Sequence, residues 1–249
     1  MTVSVTQDRL YVEPGLHPPV DVGDGVSRWE LRSEKLLLEL IQVDEGAELA
    51  VGRESGETVL IVAEGSPAVE LTTPSGSQTI DRTALVALTG VTGTVTSRGS
   101  GFVYLLMPHA TIDAGGPAVE VFYPDDYEPH GRKRVFAGQT WMINIGVPRD
   151  EPKPTDKMTP HTHATEEQCS LITVGRYVHH LRYPWTPDMS EWKEDEHLEV
   201  GSPSATLIPP GTVHTSQNVG EAPWRLIDIF APPRADFAEA GYVLNERKP

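Results

Sequence analysis

Residues 161–175 read HTHATEEQCSLITVG and residues 209–218 read PPGTVHTSQN, and the fold class can be inferred from the spacing of histidines in these two segments. His161 and His163 stand two positions apart, a spacing that shares one face on a β-strand but not on a helix. The pair therefore predicts a strand. His214 must come from a second strand that folds back over the first. Three converging imidazoles are most simply held together by a metal ion.

The composition is that of a turn-rich globular chain. Its 249 residues include 38% hydrophobic residues, 22 glycines and 22 prolines, which suits one large domain or two small ones. The net charge of −16 argues against nucleic acid or an anionic membrane surface as a partner. The single cysteine, Cys169, cannot form an internal disulfide. Because the N-terminal residues lack the features of a signal peptide and no apolar stretch approaches the ~20 residues of a membrane span, we expect a cytoplasmic protein.

Short apolar or β-branched runs separated by Gly, Pro and Ser predict an all-β sandwich or barrel. The predicted strands are residues 35–43, 57–63, 84–89, 101–106, 168–174, 204–208 and 225–230. Helical periodicity is nearly absent, and only two short helices are predicted, at residues 189–200 and 234–240.

The two halves of the chain contain an internal repeat. Residues 58–65, TVLIVAEG, correspond to residues 168–175, QCSLITVG, and each run is followed by a glycine turn, at Gly90 and at Gly211. Such a repeat predicts two similar barrels in tandem. The predicted organisation is an N-terminal barrel over residues 1–115, a C-terminal barrel over residues 130–235 and a tail over residues 236–249.

The motifs of the second half resemble those of the cupin superfamily. The first cupin motif combines HxH with a carboxylate or amide and then a glycine, here His161, His163, Gln168 and Gly175. The second motif, a Pro-x-Gly turn followed by histidine and asparagine, occurs in residues 209–218. The resemblance and the repeat together identify the chain as a bicupin, with tandem antiparallel β-barrels of jelly-roll type.

The resemblance implies one divalent metal ion, Fe, Mn, Ni, Co or Zn, which spacing alone does not distinguish. The implied ligands are His161, His163, Gln168 and His214. Glu167 is the alternative fourth ligand, since strand parity from His163 favours it. Gln168 would leave the full +2 charge of the ion, whereas Glu167 would reduce it to +1. The first barrel has Val51, Arg53, Thr58 and Gly93 at the equivalent positions, so only the second barrel is expected to bind metal.

Three further residues are candidates for catalysis: His179, His180 and Glu167. The two histidines are consecutive on a predicted strand, so one of them should point into the barrel, either as an acid/base or substrate-orienting group or as a rim residue. Glu167 joins this group if Gln168 is the ligand. Residues 191–199, EWKEDEHLE, are either a lid over the cavity mouth or a solvated acidic face.

Three functions are consistent with these features. The first is a metal-dependent dioxygenase acting on a small organic substrate with adjacent oxygen donors, such as an enediol, a diketone or a phenol. The second is a non-redox isomerase, epimerase or lyase on a sugar or keto-acid. The third is a small-molecule binding protein. Because sheet edges in such barrels commonly pair across a two-fold axis, we also expect a homodimer.

Overall fold

The computed structural model describes residues 10–112 and 116–246, and within them nearly all regular structure is β-strand. The strands of the first half are β1 (Tyr11–Val12), β2 (Asp21–Gly23), β3 (Val26–Arg32), β4 (Leu36–Val43), β5 (Glu48–Gly52), β6 (Glu57–Val62), β7 (Val69–Thr73), β8 (Gly76–Ile80), β9 (Ala84–Thr89), β10 (Thr92–Ser97), β11 (Gly101–Pro108) and β12 (Ala118–Phe122). Those of the second half are β13 (Val135–Ala137), β14 (Met142–Ile145), β15 (Glu167–Val174), β16 (Arg176–Arg182), β17 (Glu196–Val200), β18 (Ser204–Ile208), β19 (Val213–Val219) and β20 (Arg225–Ala231). One α-helix, α1 (Ala235–Glu239), and two 3₁₀ turns, Pro124–Asp126 and Met189–Glu191, complete the regular elements.

The strands form two jelly rolls, each with one large and one small sheet. In the first half a seven-stranded sheet, ordered β12-β9-β6-β11-β4-β3-β2, covers a four-stranded sheet, ordered β5-β10-β7-β8. In the second half a six-stranded sheet, ordered β1-β18-β15-β20-β14-β13, covers a three-stranded sheet, ordered β17-β16-β19. The named strands pair antiparallel. This architecture confirms the predicted all-β jelly-roll class.

The two large sheets pack against each other. One continuous hydrophobic cluster contains Leu38 and Ile61 from the first sheet and Phe136, Ile143 and Ile229 from the second. A sheet covered on both faces needs apolar side chains at successive positions, because neighbouring residues point to opposite faces. This requirement explains why β4 reads LLLELIQV and β6 reads ETVLIV instead of alternating.

One strand from the start of the chain belongs to the large sheet of the second half. Strand β1 pairs with β18 of the second half, with Tyr11 opposite Thr206 and Val12 opposite Ala205. In the first half, β12 extends the seven-stranded sheet by pairing with β9. The division into domains at residues 1–115, 130–235 and 236–249 stays a prediction.

One predicted helix is wrong and the other is confirmed. The prediction of a helix at residues 189–200 fails because only Met189–Glu191 form a 3₁₀ turn, and β17 then pairs with β16. In β17 the partly buried Leu198 and the buried Val200 alternate with exposed polar residues, and this period of two fits an edge strand better than a helix. The helix predicted near residues 234–240 is present as α1. Within the described ranges, no helix has the length and apolar character of a membrane span.

Candidate metal centre

The two motifs meet through backbone hydrogen bonds at one end of the second jelly roll. The amide of His161 donates to the carbonyl of His214 over 3.0 Å, and the amide of His214 donates back over 2.8 Å. The amide of Gly211 donates to the carbonyl of His163 over 2.7 Å. The strand predicted at His161 and His163 is therefore present only as an isolated antiparallel bridge between His161 and His214. Pro160, which precedes the pair, has no amide hydrogen with which to extend a ladder.

The three imidazoles converge, as the spacing predicts. Ring centroids are 5.0 Å apart for His161 and His163, 4.4 Å for His161 and His214, and 5.2 Å for His163 and His214. One ring nitrogen from each lies within 4.8 Å of the other two. His163 and His214 are buried, whereas His161 is exposed and borders the adjoining cavity.

Backbone carbonyls set the tautomers of two of these histidines. The Nδ1 atom of His161 lies 2.9 Å from the carbonyl oxygen of Thr159, and that of His214 lies 3.0 Å from the carbonyl oxygen of Thr212. Because a carbonyl can only accept, Nδ1 carries the proton and Nε2 keeps a free lone pair. Burial also lowers the pKa of His163, and it lowers the pKa of His214 to about 4. Both rings are therefore neutral at pH 7, the form that binds metals.

Gln168, and not Glu167, lies at this cluster. The Oε1 atom of Gln168 is 3.0 Å from Nε2 of His163 and 2.9 Å from Nε2 of His214. Glu167 lies on the opposite face of β15 and accepts a hydrogen bond from Ser33 in the first half of the chain. The parity argument for Glu167 fails because residues 162–166 are irregular, so the alternation of β15 does not extend back to His163. The structure thus separates Glu167 from the histidines.

The donor chemistry of Gln168 fits a cation. Its Nε2 group donates to Asp228 over 2.8 Å and to the Ser170 hydroxyl over 3.1 Å, which turns Oε1 toward the histidines. The Oε1 atom then faces the lone pair on Nε2 of His214, so two acceptors confront each other unless a positive charge lies between them. Two ligands at about 2.1 Å from one ion and at right angles are themselves about 3.0 Å apart, close to the observed separations.

Asp228 lies at the candidate site and is not among the residues predicted from the sequence. It lies on β20 beside the cluster and accepts from both Gln168 and Ser170. Burial raises the pKa of Asp228 to about 6, while its bonds to these two residues act in the opposite direction. An acid at an inward position of the apolar strand RLIDIFA was the available signal.

We expect Asp228→Ala to weaken metal binding by about 10–100-fold, the usual effect of losing a residue that orients a ligand. Without the Asp228 acceptor, the Gln168 amide can rotate and present its NH₂ group to the histidines. Titration of a divalent ion against a chelator measures the change. Ser170→Ala, which leaves the Asp228 acceptor in place, serves as the control and should have a smaller effect. Equal affinities in Asp228→Ala and the unmodified protein would refute this orienting role.

The alternation predicted for His179 and His180 is also observed. His179 is fully buried inside the second jelly roll, with Nδ1 2.8 Å from the Ser216 hydroxyl. No described residue forms a hydrogen bond with its Nε2 atom. His180 lies on the outer face, with Nδ1 2.7 Å from Nδ1 of His197. Of these two histidines, only His179 has its side chain inside the second jelly roll.

The metal-free protein should lose stability as the pH falls from about 6.5 toward 4, partly because of His179. Burial lowers its pKa to about 4, so between these pH values the unfolded chain binds a proton that the folded chain does not. This group alone accounts for at most about 3 kcal/mol. Urea unfolding at several pH values in the presence of a chelator should show a flatter pH dependence for His179→Gln. The outer-face variant His180→Gln is the matched control, and an unchanged pH dependence in His179→Gln would contradict the assignment.

A cavity of about 460 Å³ adjoins the cluster, within the ~300–1,000 Å³ range of small-molecule sites. Its lining residues are Arg132, Lys133, Asn144, Gly146, Val147, Arg149, Lys153, Thr159, His161, Gln168, Tyr177, His214, Thr215, Ser216, Asn218, Trp224, Leu226 and Asp228. The cluster is therefore accessible to a small molecule from one side.

Comparison with known proteins establishes the fold. No family model and no curated protein sequence matches the chain. Among solved structures, protein Ylba from E. coli, of family model DUF861, has a TM-score of 0.69 at 11% identity, covering 90% of each chain. An oxalate decarboxylase from Lactobacillus farciminis in complex with formate has a TM-score of 0.64 at 14% identity, covering 94% of this chain and 89% of its own. A variant of the oxalate decarboxylase of Bacillus subtilis has a TM-score of 0.64 at 12% identity, covering 99% of this chain and 86% of its own. The chain thus has a cupin fold.

Proposed function

We propose that this protein is a metal-dependent cupin enzyme acting on a small molecule in the cavity beside the histidine cluster. A single divalent ion would be held by His161, His163, Gln168 and His214. The observation that carries the proposal is the position of the Gln168 oxygen, 3.0 and 2.9 Å from Nε2 of His163 and His214. All four groups are neutral ligands, so the ion would keep its full charge.

The residues of the chain have distinct roles in this proposal. When bound, the ion supplies Lewis-acid activation of a substrate oxygen and, if it is redox-active, one-electron chemistry. Asp228 and Ser170 hold the Gln168 amide in its ligating orientation. His179 holds the hydroxyl of Ser216, which borders the cavity, and so orients a polar group toward the substrate. Its low pKa makes His179 a weak base at pH 7, which favours the orienting role over proton abstraction.

The leading reaction is dioxygenation of an enediol, a diketone or a phenol. Non-redox isomerisation, epimerisation or lysis of a sugar or keto-acid is the alternative, and the neutral ligand set favours it because a +2 centre polarises a carbonyl strongly. A decarboxylating lyase belongs to this second class, and the structurally similar oxalate decarboxylases carry that reaction in their name. The Bacillus subtilis oxalate decarboxylase has Mn(II) centres, which places manganese among the ions to test. Binding without turnover is the remaining candidate.

Elemental analysis of protein purified without added metal tests the site, and an oxygen electrode tests the reaction. We expect about one divalent ion per chain, lost in His161→Ala, and oxygen uptake with an enediol, a diketone or a phenol. Manganese or zinc without oxygen uptake would support the isomerase or lyase alternative. Equal metal content and equal thermal stability in His161→Ala and the unmodified protein would refute the metal site.

We also propose that the protein works as a homodimer in the cytoplasm. Strand β2 forms one edge of the seven-stranded sheet, and sheet edges commonly pair across a two-fold axis. Size-exclusion chromatography with light scattering would test the dimer.

A further inference from the structure

The cavity beside the histidine cluster has a cationic wall. Four basic residues line it, Arg132, Lys133, Arg149 and Lys153, although the whole chain carries a net charge of −16. The acidic residue in the lining is Asp228, and its carboxylate already accepts hydrogen bonds from Gln168 and Ser170. The wall therefore presents an excess of positive charge to any molecule in the cavity.

None of these four cations forms an ion pair with a carboxylate of residues 10–112 or 116–246. Of the twelve arginines in the described ranges, nine form ion pairs, and the other three are Arg53, Arg132 and Arg149. No described residue forms a hydrogen bond or ion pair with the side chain of Arg149. The Nζ group of Lys153 donates to the hydroxyls of Thr159 and Thr215, at 3.0 and 3.3 Å, and pairs with no carboxylate among the described residues.

Arg149 and Lys153 are partly buried and lie close enough together to repel each other. Burial lowers the pKa of Arg149, and the neighbouring charge of Arg132 lowers it further. Burial likewise lowers the pKa of Lys153, and repulsion from Arg149 adds to this effect. Cations that repel each other in a partly desolvated pocket are stabilised by an anion that binds between them.

The segment that carries Arg149 and Lys153 is fixed to the barrel. Arg149 and Trp224 exchange two backbone hydrogen bonds of 2.9 Å each. The side chain of Asn218 accepts from the amide of Lys153 over 2.7 Å and donates to the carbonyl of Glu151 over 3.1 Å. These bonds hold the backbone of both residues in place at the wall of the cavity that they line.

We propose that the cavity binds a substrate with a carboxylate group, which pairs with Arg149 and Lys153 while another oxygen of the same molecule reaches the histidine cluster. Carboxylate is favoured over phosphate because phosphate sites commonly use helix N-termini, and the residues lining this cavity belong to strands and loops. The proposal rests on the metal site proposed above and narrows its substrate class to oxygen-donor acids, such as diketo-acids and keto-acids.

Acetylpyruvate and its methyl ester provide a matched pair of probes. Both contain a β-diketone that can reach a metal ion, but only the acid carries a carboxylate at pH 7. Isothermal titration of the manganese-loaded protein without oxygen should show that the acid binds at least about tenfold more tightly than the ester, the effect of a charge-assisted hydrogen bond. The combined variant Arg149→Met and Lys153→Met should bind the acid as weakly as the ester.

Two controls separate the possible failures. Arg176→Met removes a cation from the outer face of β16, where Arg176 pairs with Glu199, and should keep the preference for the acid. Arg149→Lys keeps a positive charge and should keep part of the preference. Metal content is measured on every sample, and a protein that binds neither manganese nor zinc, iron, cobalt or nickel refutes the proposed metal site itself; if another of these ions binds, the same titrations are made with that ion. If the manganese-loaded protein binds the acid no more tightly than the ester, or does not bind the acid at millimolar concentration, the carboxylate subsite is refuted while the metal site stands.

Discussion

Replacing His214 with alanine is expected to lower the affinity of the protein for a divalent ion on the order of a thousandfold, since one of four ligands carries roughly 4 kcal/mol of a site of this kind. His214 is buried, its Nδ1 proton is directed to a backbone carbonyl, and its Nε2 lone pair points at the Gln168 oxygen. No other described histidine is placed to substitute for it, because the group of candidate ligands contains only His161 and His163 besides. Competition with a chelator of known affinity measures the loss.

Glu167→Gln is the matched control for this substitution. Glu167 is adjacent to Gln168 in sequence but contacts Ser33 on the opposite face of β15, so the variant should bind the metal as the unmodified protein does. The backbone bridge between residues 161 and 214 does not require the imidazole, and circular dichroism should therefore show that His214→Ala keeps the fold. Full metal affinity in His214→Ala, or loss of it in Glu167→Gln, would refute the proposed ligand set.

The convergence of the histidines was predictable from the sequence because it depends on local spacing. An HxH pair in extended backbone points two rings to one side, and a second motif with a Pro-x-Gly turn returns a third ring to them. The resemblance to the cupin motif implies Gln168, whereas strand parity favours Glu167, and the sequence alone does not decide between these two arguments. The orientation of both side chains depends on where β15 begins. Because residues 162–166 are irregular, the direction of the His163 side chain does not determine which residues of β15 point to the same side.

The surroundings of the cluster depend on strand register, which sequence patterns leave open. Ser170 lies opposite Asp228 in the pairing of β15 with β20, and this register places the carboxylate beside Gln168. A shift of one residue would turn Asp228 to the other face of the sheet. Arg149 and Lys153 reach the cavity through contacts with Trp224 and Asn218, more than sixty positions away in sequence, so their role could not be inferred from the proline-rich segment that contains them.

Strand positions were predicted better than strand partners. The apolar runs correspond to β4, β6, β9, β11, β15, β18 and β20 to within one or two residues. The pairing of β1 with β18 was not foreseen, because its partners are separated by almost the whole chain and its two residues carry no pattern. The prediction of a helix at residues 189–200 is wrong because apolar and polar residues alternate in β17, and this period of two favours a strand.

The core shared by the two large sheets predicts that both halves unfold together. Phe136 on β13 is fully buried in that core and contacts Phe122 of the first half, with ring centroids 5.5 Å apart. We expect Phe136→Ala to lower the free energy of unfolding by about 3–5 kcal/mol, through lost apolar burial and the cavity left behind. Urea unfolding followed by circular dichroism should show a single transition, shifted to a lower midpoint. It should not show two separate transitions of which only one is shifted.

A substitution in the other half tests whether the transition is common to both. Leu60 is fully buried inside the first jelly roll, away from the shared core. Leu60→Ala should lower the free energy of unfolding by about 2–5 kcal/mol and shift the same single transition to a lower midpoint. Trp185→Ala removes a ring that is 75% exposed and should leave the midpoint nearly unchanged. Two transitions, of which Phe136→Ala moves one and Leu60→Ala the other, would show that the halves unfold independently. The shared core makes this outcome unfavourable, because either half unfolding alone would expose the apolar face of its partner's large sheet to water.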